Sequence, residues 1–191
     1  MNLNELKDKA YKTACDHGFH DADWSNGHFL CLVVSELMEA VEADRKGNHF
    51  PADEIEEYNS LQKDEFHASA FKNYIKDTVQ DELADAVIRL LDLAGLRKID
   101  LSELQGPLFD KFNITSEFIS WKSQIKEASF TERMFSLCSL LTSGESIEDV
   151  VRSSIVVTFL NANILGVDLL WHIEQKQRYN ELRPVMYGKK Y

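Results

Sequence analysis

The chain has 191 residues, 44% of them hydrophobic, and a formal net charge of −11. That is enough apolar content for one domain core, and the wrong sign of charge for gripping a nucleic-acid backbone. With 3 Pro, 8 Gly and little Val/Ile alternation, an all-α fold is expected. Cys15, Cys31 and Cys138 are odd in number, far apart and free of any CxxC pairing, which argues against a disulfide framework and for a reducing, cytoplasmic setting.

A first amphipathic helix is expected over residues 3–17. There MNLNELKDKAYKTACDHGF alternates charge with Leu, Ala and Tyr and lacks the apolar core of a signal sequence. The longest apolar runs, FLCLVV and IVVTFL, are too short to span a bilayer, so no membrane partner is expected. After the polar connection HGFHDADWSNGH, a second helix is expected over 28–46, stopping at Gly47-Asn48. Residues 48–76 are polar and aromatic, and ADEIEEYNSLQKDE, with six acids and one Lys, predicts a solvated face or loop.

The third helix, DTVQDELADAVIRLLDLAGLR over 77–97, has Gly95 near its end. Helical pieces such as FISWKSQIKEA and ERMFSLCSLLTSG follow without a reactive cluster, and a last helix over 168–183 ends at Pro184. GLRKIDL echoes GVDLL, and MFSLCSLLTSGE echoes HFLCLVVSELME. Residues 101–167 therefore read as a helical insertion or degenerate repeat within a single domain spanning 1–191.

The chemistry gathers on the second and third helices. In VVSELMEAVEAD, Glu36 and Glu39 lie about 60° apart on a helical wheel, in the same sector as Phe29, Leu32, Ala40 and Ala43. Unpaired carboxylates are costly among apolar neighbours, so something must compensate them. The third helix repeats the spacing with Glu82 and Asp85, inside a narrow stripe that also holds Asp81, Arg89 and Asp92. That stripe reads either as a solvent face or as the second half of a four-carboxylate cluster, with Glu42, Asp81 and Asp92 outside the ligand set. Two like charges about 5 Å apart repel by roughly 3 kcal/mol at an effective dielectric near 20. Divalent cations relieve this, and all-oxygen ligands suit Mg²⁺ or Mn²⁺.

The last helix offers the complement. Lys176, Asn180 and Arg183 share one helix face, and residues 176–191 carry five Lys or Arg against Glu181 alone. Such a set suits the terminal phosphates of an anionic ligand. Trp24, in a polar connection, is the candidate for stacking a base, ahead of Phe29; Trp171 and Phe159 read as core. The dipeptide His20-Asp21 has no accompanying set of His and Asp ligands, and Glu-x-x-His pairs of a di-iron bundle are missing.

ExxE at Glu36 and Glu39, ExxD at Glu82 and Asp85, K-x-x-x-N-x-x-R at Lys176, Asn180 and Arg183, and the ending YGKKY together resemble the MazG-like branch of the all-α nucleoside triphosphate pyrophosphohydrolases. The likeness covers residues 3–47, 77–100 and 168–191. It implies hydrolysis of an NTP or dNTP to monophosphate and pyrophosphate, Mg²⁺ held by Glu36, Glu39, Glu82 and Asp85, and a homodimer or higher homo-oligomer. In this chain 42 residues separate Glu39 from Glu82, and Ser35 stands where many relatives have Glu. The residue chemistry agrees: metal ions lower the pKa of bound water, and a carboxylate such as Glu39 accepts its proton. The alternative is a non-catalytic acidic helical adaptor or nucleotide-binding regulator.

Overall fold

The computed structural model describes residues 2–61, 66–104 and 125–185. Among these there is no strand, and the fold is all-α as expected. The helices are α1 (Leu3–Asp16), α2 (Asn26–Arg45), α3 (Ile55–Leu61), α4 (His67–Tyr74), α5 (Val79–Leu96), α6 (Phe130–Leu141), α7 (Ile147–Ile164) and α8 (Leu169–Glu181). Most of FISWKSQIKEA and the YGKKY tail lie outside the described residues. No single described helix is long and apolar enough to cross a membrane.

Helix ends follow local chemistry. Asn2 and Glu5 form a capping box on α1, and the Ser25 side chain accepts from the His28 N–H, starting α2 two residues earlier than its apolar pattern implies. Gly47, at φ +68°, ends α2 as expected, with the Asn48 N–H donating to the Ala43 carbonyl at 2.9 Å.

Helix α5 is the axis of the fold. Its side chains are buried on most of its circumference, including Leu83, Val87, Leu90 and Leu91 at 0% exposure, because α1, α2, α7 and α8 all pack against it. Helices α2, α5, α7 and α6 close a four-helix ring within one chain.

Gly95 has a different task from the helix stop its position implies. A Cβ there would lie 2.5 Å from the Cβ of Tyr11, so its absence lets α1 lie close on α5. The stop itself is Lys98, a non-glycine residue at φ +58°, after which the Ile99 N–H donates to the Ala94 carbonyl at 2.8 Å.

The sequence echo has a structural counterpart. Helices α5 and α7 each span 18 residues. Thr78 and Ser146 cap them, accepting from the Asp81 and Asp149 N–H groups. Lys98 and Gly166 take positive φ, Ile99 and Val167 donate back to Ala94 and Ala162, and Asp-Leu follows in both. The packed pairs α2–α5 and α6–α7 thus correspond. In α7, Val150, Ser153 and Val157 stand at the places of Glu82, Asp85 and Arg89.

Residues 48–76 are more than a solvated loop. Glu56 and Glu57 face solvent, but Phe50, Tyr58, Phe71 and Ile75 bury with Tyr179 in a second, smaller core. Phe71 stacks on Tyr179 at 4.4 Å and Phe50 on Trp171 at 5.8 Å. Aromatic side chains supply enough buried area to fold this acidic segment against α8. It thereby clamps the helix carrying Lys176 and Asn180; α8 ends at Glu181 with Leu182 as its cap, so Arg183, expected on the same helix, lies just beyond its end.

Candidate metal centre and adjoining cleft

The apolar sector of α2 delivers Glu36 inward at 5% exposure, between buried Val33, Leu37 and Ala40. Gln80 anchors the start of α5 opposite, bonding the Phe50 N–H and carbonyl at 3.0 and 2.9 Å. Thr78 caps the same turn, so the first two turns of α5 present Asp81, Glu82 and Asp85 inside the structure. One carboxylate oxygen from each of Glu36, Glu82 and Asp85 lies within 4.8 Å of the other two. The polar stripe of α5 is therefore buried against α2 and α8 instead of facing solvent.

Protein cations compensate part of this charge. Lys176 Nζ sits 2.7 Å from Asp81 Oδ1 and 2.7 Å from Asp85 Oδ2. Its side chain is 6% exposed, and it lies 5.3 Å from the centre of the Phe71 ring. Burial opposes the ammonium, but Asp85 and Asp81 outweigh it and its pKa is raised. Lys176, expected among the phosphate ligands, is thus committed to the acids. Arg89 Nε donates to Glu36 Oε1, while burial and the charge of Asp85 still hold the Glu36 carboxyl above its usual range. Asp92 Oδ1 is 2.7 Å from His20 Nε2, which gives His20 a partner other than its sequence neighbour Asp21.

Glu82 is the exception. It is 5% exposed and has neither an ion pair nor a side-chain hydrogen bond among the described residues. Burial, with Asp81 and Asp85 adding, pushes its carboxyl up to about 9. Burial likewise raises Asp81 to about 6, Asp85 contributing and Lys176 opposing. Glu39 falls outside the three-acid group. It is exposed, and the Ser35 hydroxyl donates to it at 3.3 Å. A turn of about 60° from Glu36 suffices to carry a side chain from the buried face to its edge.

The donor set fits a hard divalent cation. Bonds of about 2.1 Å need carboxylate oxygens no more than about 4.2 Å apart, so the three acids must close by only tenths of an ångström. An unpartnered buried carboxylate beside two others is what such an ion neutralises.

Beside the acids lies a cleft with a cavity volume of about 90 Å³. Asp85, Arg89 and Asp92 form one wall and Gln177, Asn180 and Arg183 another, with Phe19, His28 and Phe29 supplying aromatic surface. The structure thus brings Asn180 and Arg183 to the same cleft as Asp85, with the Arg183 guanidinium 5.8 Å from the Tyr179 ring centre. Trp24 does not line it; it stacks on His28 at 4.4 Å and 13°, one ring behind the wall. Burial and the charge of Arg89 lower the His28 pKa, favouring a neutral ring. The residues that motif reading passed over are Arg89 and His28. Arg89, four residues beyond Asp85 on the acidic face of α5, carried a legible signal. No family model, curated protein or solved structure matches this chain.

Proposed function

We propose that the chain is a MazG-like, Mg²⁺- or Mn²⁺-dependent pyrophosphohydrolase that converts an NTP or dNTP to the monophosphate and pyrophosphate. The observation that carries this reading is Glu82, buried and without an ion-pair or hydrogen-bond partner among the described residues beside Glu36 and Asp85, next to a cleft walled by Asn180 and Arg183. Glu36, Glu82 and Asp85 would hold the metal, which supplies charge neutralisation at phosphate oxygens and a more acidic water. Glu39, exposed three residues beyond Glu36, accepts the proton of the attacking water. Arg183 and Asn180 hold the distal phosphates through charge-assisted and neutral hydrogen bonds. Lys176 positions Asp81 and Asp85 from beneath. His28, Phe19 and Phe29 offer the base a flat apolar surface, and Trp24 backs His28.

Product chromatography over a panel of NTPs and dNTPs with Mg²⁺ tests the assignment. Pyrophosphate and monophosphate should form in equal amounts; orthophosphate as the first product overturns the reaction type. Glu39→Gln should lose turnover while keeping nucleotide affinity, and Arg183→Ala should lose affinity. The rival, a nucleotide-binding regulator, is favoured by one observation: Glu36 and Asp85 already have Arg89 and Lys176 as counter-ions. Metal-dependent nucleotide binding without any product from the wild type would select it.

A further inference from the structure

The cleft reaches the three acids at Asp85, which lines it. A phosphate chain held beside a metal there needs a cation on the cleft wall near the acids. Lys176 is held by Asp81 and Asp85 at 2.7 Å each and does not line the cleft. Arg89 is better placed. It lines the cleft, its side chain is 28% exposed, and its only hydrogen bond among the described residues runs from Nε to Glu36. Both Nη groups are spare donors, and a guanidinium presents its donors as a fork matched to phosphate oxygens. Glu36, its partner, is also one of the three acids whose oxygens converge. A divalent cation among those acids therefore competes with Arg89 for Glu36 and repels the guanidinium.

We propose that Arg89 is a built-in counter-ion that yields Glu36 to the divalent cation and turns into the cleft to bind the substrate's phosphates, so that metal and anion load together. This rests on the pyrophosphohydrolase reading. The consequence is a pair of opposed effects. Removing the guanidinium removes a competitor for the metal and, separately, a ligand for the anion.

The test uses the full chain, with Mn²⁺ alone as one probe and inorganic triphosphate at saturating Mn²⁺ as the other, both followed by titration calorimetry. Arg89→Gln should bind Mn²⁺ about tenfold more tightly than wild type and triphosphate about tenfold more weakly, the scale of one charge-assisted hydrogen bond. Arg89→Lys keeps the charge and loses the fork, which provides a second variant should the first fold poorly. Its Mn²⁺ affinity should stay within roughly twofold of wild type while triphosphate affinity falls severalfold. Unchanged or weaker Mn²⁺ binding by Arg89→Gln overturns the proposal, as does unchanged triphosphate binding by both variants; in either case a wild-type Mn²⁺ site lost in Glu82→Gln leaves the metal reading standing. Absence of Mn²⁺ binding by wild type and both variants overturns the two together.

Discussion

Replacing Glu82 by glutamine separates the cost of a buried charge from its use. In the metal-free protein, burial and the neighbouring Asp81 and Asp85 raise the Glu82 carboxyl from its ordinary 4.5 to about 9. At pH 8 the unfolded chain ionises Glu82 freely while the folded chain keeps its proton. Each tenfold difference in proton affinity then costs folding about 1.4 kcal/mol. The interval from 4.5 to pH 8 sets a ceiling of about 5 kcal/mol, and coupling among the acids with partial hydration brings this to about 2 kcal/mol. The sign follows directly. This penalty is absent below pH 4.5 and grows as pH climbs from 4.5 towards about 9. Glutamine ionises in neither state. In EDTA at pH 8, Glu82→Gln should exceed wild type by about 2 kcal/mol, or roughly 4–8 °C in Tm; at pH 5 the two should nearly coincide. Saturating Mg²⁺ at pH 8 should stabilise wild type and leave the variant almost unmoved. Urea denaturation and calorimetry at both pH values, with EDTA or Mg²⁺, measure all four quantities. A variant no more stable than wild type at pH 8 in EDTA refutes the buried-charge argument, and an undiminished Mg²⁺ response refutes Glu82 as a ligand.

Gly95→Ala should destabilise the protein by about 2 kcal/mol in urea titrations, because its Cβ would meet that of Tyr11 at 2.5 Å. Lys98→Gly should raise stability by about 0.5–1 kcal/mol, since Lys98 holds φ +58°, where glycine carries no steric cost. Burial depresses His172 to about 4, so stability should fall as pH drops from about 6.5 through 4. His172→Gln should flatten that acid limb by about 1–2 kcal/mol. All three acids of the centre come from one chain, so the Mg²⁺-induced rise in Tm should be constant over a roughly hundredfold range of protein concentration.

Glu36 was legible because helical periodicity alone puts it among Phe29, Ala40 and Ala43, which are buried with it. Glu39 shares that sector on a wheel, but wheels ignore how far the neighbouring helix reaches, and it ends exposed. The stripe on α5 was ambiguous for a related reason: a polar face does not say what covers it. The cover is α8, distant in sequence, and it brings Lys176 to Asp81 across 95 positions. The acidic run around Tyr58 hid a helix whose one buried ring anchors it. Lys98 carried no compositional mark of a helix stop, and Gly95, which did, serves a close approach.

The correspondence between the two helix pairs bears on kinetics. A ring built from two equal halves would hold two acidic centres sharing one core, and ligand bound at the first would alter affinity at the second. Here Val150 and Ser153 stand at the places of Glu82 and Asp85, so the second helix pair does not repeat the group formed by Glu36, Glu82 and Asp85. Titration of an isolated chain with metal or nucleotide should therefore saturate hyperbolically at one equivalent per centre, with a Hill coefficient of about 1.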